Sequence, residues 1–169
     1  MREVLVWLEA SALSVFVREW PSILGFPTIL FLHTLGLAMV AGAAIAIDLW
    51  ILQRPLRLTA VHIAGLNKMM WLGFGINLLS GLALLLAYPA KALTNGVFYL
   101  KIALVLVAVY VSARIHREFV PTDSAGVAAG IAPEARRWAV ASLICWFAAI
   151  VTGRLLAYTY NVLFAGQLP

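Results

Sequence analysis

Charge is what this chain has least of. Only 11% of its 169 residues are Asp, Glu, Lys or Arg, where a soluble domain carries ~25%. Hydrophobic residues make up 64% and the mean hydropathy is +0.99. That balance excludes a water-soluble globular domain and marks an integral membrane protein. Cysteine is nearly missing: the single Cys145 leaves no intrachain disulfide and no Cys-rich metal site. It sits in an apolar run and reads as buried packing. Acids number seven and histidines three. The formal charge of +5 does not point to nucleic acid, because the basic residues are scattered between apolar runs and form no solvated patch. No internal repeat and no low-complexity tract is evident, and the length suits one domain.

What is present is four apolar runs, each long enough for the ~20 residues a bilayer span needs. Their boundaries predict spans over residues 25–52, 60–87, 97–117 and 137–164. Gln53-Arg54-Pro55 ends the first, Tyr88-Pro89 through Asn95-Gly96 makes a turn, and VPTDSAGVAAGIAPEA links the last two. The N-terminus is a poor signal peptide, since VLVWL is short and Glu9 interrupts it. Residues 1–19 read instead as an amphipathic helix lying on the membrane surface, with Leu5, Leu8, Ala12, Val15 and Phe16 on one face. The expected fold is therefore all-α: an interfacial helix over 1–20, then a four-transmembrane-helix bundle over 21–169. Loop charge sets the expected orientation. Arg54, Arg57, Arg114, Arg117, Arg136 and Arg137 share one side, and Arg2, Arg18 and Lys91 the other. That bias places both termini outside the cytoplasm.

Three basic residues lie inside the apolar runs with no acid near them in sequence: His33, Lys101 and Arg154. A charge at membrane depth costs several kcal/mol and marks a functional site by default. Because alternate spans run in opposite directions, these three fall in one outer layer, with Tyr158 a turn beyond Arg154 and Asn77 and Ser80 in the second span. His33, Gly36, Val40, Ala44 and Asp48 share a stripe, as do Met70, Gly73, Asn77 and Gly81. Small residues there let helices approach closely. In the inner layer Asp48 and Lys68 are expected to neutralise each other. Failing that pairing, Asp48 becomes a candidate for proton transfer. His62 and His116 lie at the inner surface, an alternative place for a metal or haem.

The outer cluster suits an anion or an electron-rich group. Haem would use an imidazole as axial ligand and the cations on its propionates. A quinone would use a subset, through hydrogen bonds to its carbonyls. Tyr99, Tyr158 and Tyr160 offer hydroxyls, and Trp146 and Phe147 aromatic surface.

The segment LHTLGLAMVAGAAIAIDLWIL and the stretch LLSGLALLLAYPAKALTNGVFYLKIALVLV resemble the first helix and the second-to-third helix hairpin of the CopD-like membrane superfamily. That group includes copper-resistance protein D and the HemJ-type protoporphyrinogen oxidases. His33, Asp48, Lys101 and the closing GRLLAY look like an uncharacterised family of small bacterial four-helix membrane proteins within it. The resemblance covers about residues 22–162. It implies haem b on His33, with Lys101 important for activity. The expected function is that of a bacterial inner-membrane protein which holds a redox cofactor, haem b, in the outer half of the bundle and passes electrons to or from quinone or a periplasmic partner. Where the HemJ-type branch tends to carry a third-helix histidine, this chain has Ser112 and then His116, and its fourth helix carries Arg154. The expected cofactor site is His33, Lys101, Arg154, Tyr158 and Asn77. The rival expectation is a non-enzymatic membrane subunit, as a homo-oligomer or in a larger complex, or a copper- or lipid-handling module. For copper, Met39 and Met69-Met70 are soft ligands, though a Met pair in an apolar helix reads first as core.

Overall fold

The computed structural model describes residues 7, 10–19, 25–53, 58–120 and 132–164. Among them the secondary structure is helical, in six elements. A short α1 (Ala12–Glu19) precedes α2 (Phe26–Gln53), α3 (Ala60–Ala87), a single-turn α4 (Pro89–Leu93), α5 (Gly96–Glu118) and α6 (Pro133–Phe164). Four of these, α2, α3, α5 and α6, are long and apolar enough to cross a membrane, so the protein is a multi-pass membrane protein.

Local chemistry sets where each helix begins. Thr59 Oγ1 accepts from His62 N at 3.4 Å while His62 Nδ1 accepts from Thr59 N at 3.3 Å, a reciprocal cap that starts α3. Asn95 Oδ1 accepts from Val97 N at 3.0 Å and starts α5. The fourth span starts at Pro133, ahead of the expected 137. Proline is suited to a first helical turn, where its missing N–H would have no partner anyway, and Glu134 beside it complements the helix dipole. The expected turn at 88–96 contains α4, with Pro89 likewise at its start.

The surface helix differs from expectation. A turn at Ala10 and a bend at Ser11 interrupt the helix expected over 1–19, and Ser11 Oγ accepts from Ser14 N at 3.3 Å to start α1 afresh. Residues 1–6, 8 and 9 lie outside the described set. Ser14, 1% exposed, faces the bundle and donates to the Ala87 carbonyl at 3.1 Å, one of the last α3 carbonyls, which have no partner within the helix. Phe16 is 55% exposed and points away from the bundle.

Helix α2 packs closely against α3 on one side and α6 on the other, and α6 packs against α5. The fourth side of the bundle, between α3 and α5, is barely in contact. The α2–α3 crossing is tightest at Gly36 and Gly73. A Cβ at Gly36 would lie 2.6 Å from Asn77 N, and one at Gly73 would lie 2.6 Å from Val40 N.

The two halves of the bundle are filled differently. In the half remote from α1, Ile47, Trp50, Ile51, Ile63, Val111 and Ile115 form one apolar core cluster. Val40, Ala44, Met70, Ala108 and Trp146 form a second, nearer the middle. Towards α1 the buried side chains of the spans are small or polar: Asn77, Ser80 and Thr152.

Candidate functional site

On the α1 side the bundle holds a cleft of about 410 Å³ in place of a packed core. Leu78 and Leu82 of α3 face Ile102 and Leu106 of α5 across it, and all four are exposed. The cleft thus opens sideways, through the loose α3–α5 edge, to the lipid. Its size falls within the range of small-molecule pockets. Its walls are apolar, including Phe74 and Phe98; Tyr88 lines it as well, and three further polar residues reach it, His33, Asn77 and Lys101.

These three polar residues bond to one another. His33 Nδ1 lies 3.1 Å from the Asn77 carbonyl oxygen, which can only accept, so Nδ1 carries the hydrogen. Ser80 Oγ, 3.2 Å from the same nitrogen, donates to Ile76 O at 2.6 Å and is free to accept. The ring's other nitrogen, Nε2, therefore presents its lone pair, and Lys101 Nζ donates to it at 3.2 Å. Asn77 Nδ2 donates to the His33 carbonyl at 2.8 Å, bridging α3 to α2. Gly81 keeps the ring in place from below, since a Cβ there would lie 3.2 Å from His33 Cε1. The Lys101 stem passes beside Gly153 of α6. No carboxylate pairs with Lys101 among the described residues.

Three of the five expected site residues thus meet: His33, Asn77 and Lys101. Arg154 and Tyr158 do not join them, and both are exposed on α6. The inward stripe of that helix runs through Ala135, Ala139, Ser142, Trp146, Ala149 and Thr152. Arg154, about 200° of helical turn beyond Thr152, points outward, and Tyr158 one turn later follows it. Both sit where a long side chain can reach the headgroups. Tyr99 is 55% exposed and donates to the Leu93 carbonyl at 3.0 Å. Phe147 is 72% exposed, and the Tyr160 side chain lies outside the described set.

The resemblance implies haem, and the residues do not fit it as they stand. The Nε2 lone pair that iron would need is taken by Lys101, and neither other histidine is at that level. His62 caps α3 at the opposite end of the bundle and is exposed, and His116 is half-buried near the end of α5. No hydrogen bond joins these two. No group of three potential His, Cys, Asp or Glu metal ligands is found among the described residues. Of the methionines, Met70 is 1% exposed and packed in the core while Met69 faces outward at 36%, so the pair is split between two faces.

A second polar cluster, unforeseen in sequence, lies in the half remote from α1. The Asp48–Lys68 pair is not formed: Asp48 is 1% exposed and Lys68 is on the exposed face of α3. Depth along the helix was right for pairing and direction was wrong, because Lys68 is about 160° of helical turn from the buried Met70. Asp48 instead takes a hydrogen bond from Ser142. Ser142 and Ser112 hydroxyls are 3.3 Å apart, and Trp146 Nε1 donates to Ser112 Oγ at 3.1 Å. The direct bond of Lys101 to His33 was likewise unforeseen: it joins α5 to α2 across the bundle, and nothing in the spacing of either helix signals it. No family profile, curated protein or solved structure matches the chain, which leaves the CopD-like resemblance resting on its own residues.

Proposed function

We propose that this protein draws a quinone-class molecule from the bilayer into the cleft between α3 and α5, as part of an electron-transfer system of a bacterial inner membrane. The observation that carries the reading is a lysine with no acid beside it among the described residues, bonded to a histidine lone pair in an apolar cleft open to lipid. A cation kept at such depth without a counter-charge is costly, and an electron-rich ligand head offsets that cost. Lys101 has two ammonium hydrogens left after bonding His33, suited to a ring carbonyl. The apolar walls with Phe74 and Phe98 suit the ring and an isoprenoid tail, which would leave through the lateral opening.

Depth favours a quinone over a phospholipid head. His33 is about two helical turns inside α2, well below the level at which phosphates sit. Loop charge supports an orientation with α1 and both termini on the periplasmic side, which puts the cleft in the outer leaflet.

The test is binding of a short-tailed quinone to the full chain in lipid nanodiscs, read by quenching of tryptophan fluorescence. Lys101→Met should weaken binding by about ten- to a hundredfold, the value of a charged hydrogen bond. Arg154→Met should leave it unchanged. Equal affinity in wild type and Lys101→Met would overturn the reading. Displacement by anionic phospholipid but not by quinone would favour a lipid-handling role.

A further inference from the structure

We infer that Asp48 is a proton-exchanging carboxyl, a site in the half of the bundle remote from α1 that takes up and releases one proton independently of the cleft.

The site is enclosed and incomplete at once. Asp48 is 1% exposed, Ser112 6%, and Ser142 and Trp146 0%. The three helices α2, α5 and α6 each contribute to one connected set. Its direction is partly fixed, because an indole N–H can only donate. Trp146 therefore gives its hydrogen to Ser112. When Asp48 is ionised it can only accept, so Ser142 must donate to it and Ser112 to Ser142. When Asp48 carries a proton on the oxygen facing Ser142 it can donate there, and both hydroxyl hydrogens turn the other way. The chain accommodates either state by rotating two hydroxyls, with no side chain displaced.

The other carboxyl oxygen, Asp48 Oδ2, has no hydrogen-bond partner although it is buried. Leaving a buried acceptor unmatched is costly, and a carboxylate more so. Two further buried atoms are unmatched among the described residues, Asn67 Oδ1 of α3 and His116 Nδ1 of α5. All three belong to the same half of the bundle, on three different helices. His116 lies one turn beyond Ser112, towards the end of α5, so the unmatched atoms run from Asp48 towards that end.

Among the described residues no fixed cation faces Asp48. Lys68, Arg117, Glu118, Glu134, Arg136 and Arg137 are all exposed, and Arg114 is held by Glu118 at 2.9 Å and stacks 4.4 Å over the Trp138 ring. His116 is half-buried on α5, and α6 presents only Ser142 and Trp146. A hard metal cation would demand more oxygens than one carboxyl and two hydroxyls supply. A proton needs only one. Towards the cleft, Val40, Ala44, Met70 and Ala108 close the interior with apolar atoms, so exchange is with the end of the bundle remote from α1.

The experiment is infrared difference spectroscopy on the full chain in lipid nanodiscs, from mildly acid to mildly alkaline pH. The carboxylic C=O stretch assigned by its loss in Asp48→Asn should shrink as pH rises, with a carboxylate band growing in step. Asp48→Asn is the conservative choice, since its amide oxygen can still accept from Ser142. Should that variant not fold, treatment of wild-type protein with a hydrophobic carbodiimide keeps the question open to decision. The reagent adds to a protonated carboxyl, and the adduct should map to the Asp48 peptide and form more slowly at alkaline pH. A carboxyl band that ignores pH, or an Asp48 peptide that stays unlabelled, overturns the inference and makes Asp48 a fixed structural acceptor. Lys101→Met should leave the titration in place, whereas a midpoint that moved with the cleft would contradict the separation of the two sites.

Discussion

Asn77 does more at the cleft than its small size suggests. Its amide donates to the His33 backbone and its carbonyl takes the ring hydrogen, so one side chain and its own peptide set both the position and the tautomer of the histidine. Asn77→Leu should cost about 0.5–1.5 kcal/mol of stability, because it removes the bond that ties α3 to the His33 carbonyl of α2. Unfolding from mixed micelles by added denaturing detergent measures this. His33→Ala should leave Lys101 without its acceptor and weaken quinone binding less than Lys101→Met does, since the ammonium survives to meet the ligand. If His33→Ala were the more damaging in the fluorescence titration, the histidine rather than the lysine would be the group touching the head. The sequence showed that His33, Lys101 and Asn77 share a layer, because depth follows from residue count alone. It did not show that Arg154 leaves them, since facing depends on which stripe of α6 finds a neighbour.

At the scale of the helices, α2, α3 and α5 begin and end within one residue of the expected spans while α6 begins four residues early at Pro133; apolar length is a one-dimensional property that the bilayer reads directly. What the pattern could not give was direction. Asp48 and Lys68 matched in depth and lie on unrelated faces, and their pairing could be judged only once Met70 was known to point inward. The close approach of α2 and α3 was legible, since Gly36 and Gly73 lie on the stripes that the spacing picked out. Here two effects compete. Glycine in a helix interior costs about 1 kcal/mol relative to alanine, yet a Cβ at either position would sit 2.6 Å from backbone nitrogen. Backbone cannot step aside, so overpacking at about 1–3 kcal/mol should win. Gly36→Ala and Gly73→Ala should both destabilise, and Gly42→Ala and Gly65→Ala, where a Cβ meets nothing within 4 Å, should not. All four are compared in the same detergent titration.

For the whole molecule, orientation is the property on which the sidedness of both sites depends. Single cysteines at Thr59 and Ala132 in a Cys145→Ala background should resist a membrane-impermeant thiol reagent in intact cells, since both lie at the arginine-rich end. Labelling of both from outside would invert the assignment and put the cleft in the cytoplasmic leaflet. The lateral opening has a consequence of its own. Two hairpins, α2–α3 and α5–α6, are joined along α2 and α6 and part between α3 and α5, so in a bilayer the gap is in contact with acyl chains whenever no other molecule fills it. On the proposed reading a quinone never enters a vacant space; it trades places with a lipid tail. Any affinity measured is an exchange constant, and it should shift with the length and unsaturation of the surrounding lipids even when every residue of the protein is unchanged.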